Sequence, residues 1–170
     1  MSSLTSRVDH EERTLTLSTL ASLAGFNKRL TRLPDGRIPD VLQIDLEGKA
    51  LFIGDAKDTE TPGNAETSVR LMAYLRWMKL HVSRKKNTLA VFALCVGNAS
   101  HLSAWKNLLL YLCHEVGFGT VSIQERAFGH KRYALWFTIA ANGAGAETET
   151  RIHSRASSRL ALMRMRAGFN

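Results

Sequence analysis

The stretch IPDVLQIDLEGKALFIGDAK, residues 38–57, decides how this chain is read. Two apolar runs, 38–46 and 49–57, are separated only by Glu47 and Gly48. Strand-like segments joined by a two-residue link containing glycine form a tight antiparallel hairpin. With Glu47 and Gly48 as the loop, Leu46 faces Lys49 and the numbers of every facing pair add to 95. Asp40 is then opposite Asp55, and facing residues hold their Cβ atoms about 5 Å apart on one face of a sheet. Lys57, two residues beyond Asp55, points to the same side. That face also carries Leu42, Ile44, Leu46, Leu51 and Ile53, so the three charged groups sit at one end of an apolar surface. A slip of one residue would turn Asp40 to the opposite face.

Working outward, residues 7–24 suit a helix, with Ser6 and Asp9 spaced as a capping box and Gly25 as a stop. The TLTLS alternation at 14–18 also suits a strand. A basic connection with the turn signal Pro34-Asp35-Gly36 leads into the hairpin. After a polar loop, residues 65–82 read as a long helix buried over much of its surface, through Val69, Met72, Leu75, Trp77 and Met78. Residues 88–96 form a continuous apolar run, as expected of a central strand covered on both sides. A helix over 101–116 ending at Gly117 and strands at 120–124 and 133–140 complete an α/β domain with a mixed sheet flanked by helices.

The chain has 170 residues, 45% apolar and 22% charged, which suits one packed domain over 1–141 rather than a disordered chain. No run approaches the ~20 apolar residues of a membrane span. The acids Asp9, Glu11 and Glu12 before the first apolar run do not suit a signal peptide, so a cytoplasmic protein is expected. Cys95 and Cys113 lie among apolar neighbours and read as buried free thiols. The six histidines form no HxH or HxxxH pair, which disfavours a histidine metal site. No glycine-rich nucleotide-binding loop is present.

The net charge of +8 points to a polyanionic partner, most simply nucleic acid. Five arginines and no acid fall in 151–170, beyond the NGAGA link at 142–146, leaving +3 for the rest. As a helix this tail would align Arg151, Arg155 and Arg159, either as a solvated face on the body or as an arm that binds nucleic acid. Lys28, Arg29, Arg32 and Arg37 lead toward the carboxylates and suit a phosphate backbone. Arg84, Lys85 and Lys86 close the long helix, where the helix dipole favours cations in any case.

Asp40 and Asp55 side by side on an apolar surface would repel, and one would be protonated unless a cation joined them. A hard divalent ion resolves this, Mg²⁺ being the ordinary candidate and Mn²⁺ a substitute. Lys57 would orient or deprotonate a water there, or stabilise charge on a phosphate oxygen.

Pro39-Asp40, fourteen residues, then Asp55-Ala56-Lys57 resembles the PD-(D/E)xK signature of restriction-endonuclease-like nucleases. The resemblance covers about residues 7–96 and implies that family's core of helix, three strands, helix and strand. It implies metal binding by Asp40 and Asp55 and assistance by Lys57. Many members add a glutamate from the first helix, a role open to Glu11, as a metal ligand, or Glu12, as a catalytic group. Both lie on the side of Val8 and Leu15 at three- or four-residue spacing. RecB-type members carry QxxxY on the following helix; here Arg70 and Tyr74 have that spacing, arginine replacing glutamine, and Arg70 would meet a phosphate.

The function expected is therefore a Mg²⁺-dependent deoxyribonuclease, an endonuclease in preference to an exonuclease, acting on DNA. The competing expectation is a module that binds DNA or a protein partner without cutting. Another is a nuclease subunit of a larger restriction, transposition or recombination assembly. A homodimer would allow both strands to be cut, although no dimer surface is legible.

Overall fold

The computed structural model describes residues 4–57 and 62–141. Helix α1 (Leu4–Leu23) is followed by β1 (Lys28–Arg29), β2 (Val41–Ile44) and β3 (Ala50–Ala56). Then come α2 (Ala65–Arg84), β4 (Leu89–Val96), a 3₁₀ turn at Ala99–His101, α3 (Leu102–Val116), β5 (Gln124–Ala127) and β6 (Tyr133–Ala140). The six strands form one mixed sheet in the order β1-β2-β3-β4-β6-β5, with only β3 and β4 parallel. The expected α/β domain with a mixed sheet between helices is observed.

Every residue of β4 is buried, as its unbroken apolar run requires of a strand covered on both faces. Leu17, Leu20 and Ala21 of α1 pack on one face of the sheet against Val41, Phe52, Val91 and Trp136. On the other face, Leu71, Leu75 and Met78 of α2 and Trp105 and Leu109 of α3 cover Leu42, Ile53, Phe92 and Phe137. Cys95 and Cys113 are buried free thiols, and burial pushes both up to about 12. Among the described residues no helix is long and apolar enough to cross a membrane.

The hairpin keeps the register read from its sequence: Val41 faces Gly54, Leu42 faces Ile53, Gln43 faces Phe52 and Ile44 faces Leu51. Its loop differs. The last ladder bond runs from Asp45 N–H to the Ala50 carbonyl at 2.9 Å, so the connection has one more residue on each side than expected. Asp45 Oδ1 accepts the N–H groups of Lys49 and Ala50 at 2.7 and 3.0 Å, and Gly48 turns through φ +70°. Because the change is symmetric, the pairing is preserved. Leu46, expected on the apolar face, instead leaves the ladder and is 81% exposed.

Other boundaries are corrected by local contacts. Helix α1 begins before Ser6, which therefore lies within the helix instead of capping it, and TLTLS is helical. Its end follows expectation: Gly25 has φ +99°, and Phe26 N–H bonds the Ala21 carbonyl at 3.0 Å. Asn64 caps α2 by accepting the N–H of Glu66 at 2.8 Å. Val69 on that helix, expected in the core, is 61% exposed; Leu71 and Tyr74 are buried. The strand expected at 120–124 begins only at Gln124, because the turn closed by Phe128 N–H and the Arg132 carbonyl pairs β5 with the first half of β6. Val121 and Ile123 pack against the helix-side core without joining the ladder. Part of the basic connection forms β1, which sequence reading did not anticipate. The link at 142–146 and the arginine-rich tail, with Arg151, Arg155 and Arg159, lie outside the described residues.

Candidate functional site

Asp40 directly precedes β2, Asp55 is the penultimate residue of β3, and Lys57 directly follows it. The preserved register therefore delivers all three to one end of the hairpin. They line a single open cavity of about 630 Å³, together with His10, Arg37, Glu66, Arg70 and Tyr74 among others. The three residues read from the sequence are thus together in space.

Each is held differently. Ala56 N–H donates to Asp40 Oδ2 at 2.8 Å, and His10 Nε2 lies 3.4 Å from Asp40 Oδ1. Lys57 N–H donates to the Cys95 carbonyl at 2.9 Å, which ties the end of β3 to β4. The Lys57 ammonium forms an ion pair with Asp55 Oδ2. Asp55 is 4% and Lys57 7% exposed, a degree of burial that charged side chains tolerate only in pairs. Gly54 makes room for this arrangement: a Cβ there would stand 3.0 Å from Phe52 and 3.2 Å from Val41 on the α1 side of the sheet.

Electrostatics follow from this crowding. Burial pushes the Asp55 carboxyl up to about 7; Asp40 beside it adds to the rise and Lys57 opposes it. Burial also raises Tyr74, and the negative charges of Asp55 and Asp40 raise it further, against Arg70 and Arg37. The Tyr74 hydroxyl thus remains a neutral donor near the carboxylates at any ordinary pH.

Of the expected glutamates, neither reaches the cavity. Glu11 is exposed, pairs with Arg7 at 3.2 Å and lines an adjoining groove. Glu12 is exposed and lines neither space; its carbonyl accepts the Thr16 hydroxyl at 2.9 Å. The first helix contributes His10 instead. The buried stripe of α1 is Arg13, Thr16, Leu17, Leu20 and Ala21, and stepping back three from Arg13 reaches His10. Val8 and Leu15, used to place the glutamates, are 46% and 66% exposed. With Leu17 and Leu20 as the inward face, helical spacing points to His10. Glu66, also missed, is brought in by α2 and pairs with Arg70 at 3.6 Å.

The expected phosphate-binding residues divide between the two ends of the hairpin. Arg37 and Arg70 line the cavity, Arg37 also holding Asp35 at 2.5 Å. Arg29 lines the adjoining groove. Lys28 is exposed on β1 opposite Ile44, and Arg32 lies with Arg84 and Lys85 around a pocket beside Gly48 at the turn end. The assignment of Lys28 and Arg32 to the carboxylate end is thereby corrected: pairing with β2 sets Lys28 opposite Ile44, and the connection after β1 brings Arg32 to the pocket beside Gly48.

Among the described residues, no three His, Cys, Asp or Glu side chains form a ready metal cage. Of the carboxylates lining the cavity, Asp40 and Asp55 lie together, with His10 beside Asp40, while Glu66 pairs with Arg70. Such a donor set suits Mg²⁺, which keeps several water ligands and is bound through one or two carboxylates plus phosphate oxygens. No family model, curated protein or solved structure matches this chain.

Proposed function

We propose that this chain is a Mg²⁺-dependent deoxyribonuclease, an endonuclease built on a restriction-endonuclease-like core. The observation that carries the proposal is the convergence of Asp40, Asp55 and Lys57 in one open cavity through the hairpin register. The order helix, three strands, helix, strand supports it, β1 supplying the third strand before α2.

Asp40 and Asp55 are the residues that would hold Mg²⁺, since the raised Asp55 marks a carboxylate pair in need of a cation. When bound, the ion supplies Lewis-acid polarisation of the phosphodiester and a more acidic water. The protein groups have separate tasks. Ala56 N–H and His10 fix the orientation of Asp40. Lys57, in contact with Asp55, is placed to hold an attacking water and to stabilise charge on a phosphate oxygen. Arg37 and Arg70 at the cavity wall would bind the flanking backbone, with the steep salt dependence of phosphate contacts.

The test is cleavage of circular, linear, single-stranded and branched DNA with Mg²⁺ or Mn²⁺, wild type beside Asp55→Asn. Metal-dependent nicking of circular DNA, reduced about a hundredfold or more in the variant, is expected. Equal cutting by the variant, or no cutting by the wild type with either metal, would remove the proposal.

A further inference from the structure

A second groove, of about 490 Å³, adjoins the carboxylate cavity and shares His10, Ile38 and Asp40 with it. Its chemistry is different. Leu15 from α1, Leu30 beyond β1, and Ile38 before β2 all line it, and they are 66%, 37% and 71% exposed. Three large apolar side chains left to water around one groove are unusual beside a site whose substrate is a charged backbone. Arg29 also lines it and makes no ion pair with any described residue. Of the two acids lining it, Asp40 belongs to both spaces and Glu11 is already paired with Arg7.

We infer that this groove takes one unpaired nucleotide next to the phosphodiester to be cut, with its base against Leu15, Leu30 and Ile38 and its backbone on Arg29. The inference rests on the nuclease reading and adds a substrate class to it: single-stranded or frayed DNA. A strand whose phosphate reaches Asp40 continues directly into the groove, because Asp40 and Ile38 belong to both spaces. A paired duplex turns phosphates outward and keeps its base faces stacked, so it would meet this apolar wall with nothing complementary. An unpaired base offers the apolar face that such a wall can cover, while a cation follows the backbone.

The test compares the full chain carrying Asp55→Asn, which prevents turnover, with the same chain carrying Leu15→Gln and Ile38→Gln. Both added changes conserve charge at exposed positions, and thermal melting checks that the fold is kept. Fluorescence anisotropy would follow binding of a single-stranded 15-mer and of a blunt duplex of the same length. Single-strand affinity is expected to fall about tenfold and duplex affinity to stay within about twofold. An unchanged single-strand affinity, an equal loss on both DNAs, or a parent chain that does not bind the single strand would overturn the inference. So would a variant that differs only in self-association, since the groove would then belong to a second copy of the chain. Cutting by wild type in Mn²⁺ is read separately. Selective loss of single-strand binding in a chain that cuts nothing keeps the groove and removes the nuclease reading. Unchanged binding in a chain that cuts does the reverse.

Discussion

The two ends of the β2–β3 hairpin use the same side chain for opposite purposes. At the turn, the Asp45 carboxylate accepts two backbone N–H groups, from Lys49 and Ala50, in a half-buried position. At the other end, Asp40 takes one N–H from Ala56, while Asp55 is buried against Asp40 and Lys57 with its carboxyl pushed up to about 7. A turn lock needs donors and nothing more. Two carboxylates crowded under α2 share the single Lys57 ammonium, and the rise that remains at Asp55 is what a metal in the proposed function would relieve.

The comparison breaks most sharply in activity. Asp55→Asn should lower metal-dependent DNA cutting about a hundredfold or more, whereas Asp45→Asn should leave it within a few fold. Cutting rates of the two purified variants on a single-stranded circle decide this, and equal losses would erase the distinction between the ends.

The glycines give the next contrast. Gly54→Ala would drive a methyl group against Phe52 and Val41, at a cost of about 1–3 kcal/mol in urea unfolding, with Asp55 displaced from its neighbours. Gly48→Ala meets nothing within 4 Å and suffers only from its φ of +70°, so about 1 kcal/mol is expected and cutting should persist. A Gly54→Ala variant as active and stable as wild type would show that the close approach beneath Asp55 is not required.

Acidity separates the ends more gently. The folded Asp55 carboxyl titrates above its ordinary value of 3.8, so the fold binds a proton more tightly than the unfolded chain does. That contribution is fully present below about 4 and is lost as pH rises through about 7. In EDTA, the melting temperature of wild type should therefore fall between pH 4 and 8 relative to Asp55→Asn. Mg²⁺ at pH 8 should restore wild type and leave the variant unmoved. Parallel pH profiles for the two proteins would count against a proton held at Asp55.

Much of this arrangement was legible in the residues alone. The facing of Asp40 and Asp55 follows from strand alternation and a symmetric link, and it survived a misjudged loop because both strands lost one residue equally. The β4 run and the Gly117 stop were equally plain, since continuous burial and a left-handed helix end each demand particular residue types. What remained hidden depends on which way an element faces. The phase of α1 could not be set locally, because Leu15 and Leu17 are equally apolar and only contact with Val41 and Phe52 makes Leu17 the inward one. That contact puts His10, and neither Glu11 nor Glu12, beside Asp40. The division of Arg37 from Arg32 likewise follows from the path of the connection between β1 and β2, which basic composition does not encode. Local periodicity and turn chemistry determine register and helix ends, because they act between near neighbours; the membership of the site is decided by packing, because only the assembled sheet selects the face each helix turns toward it.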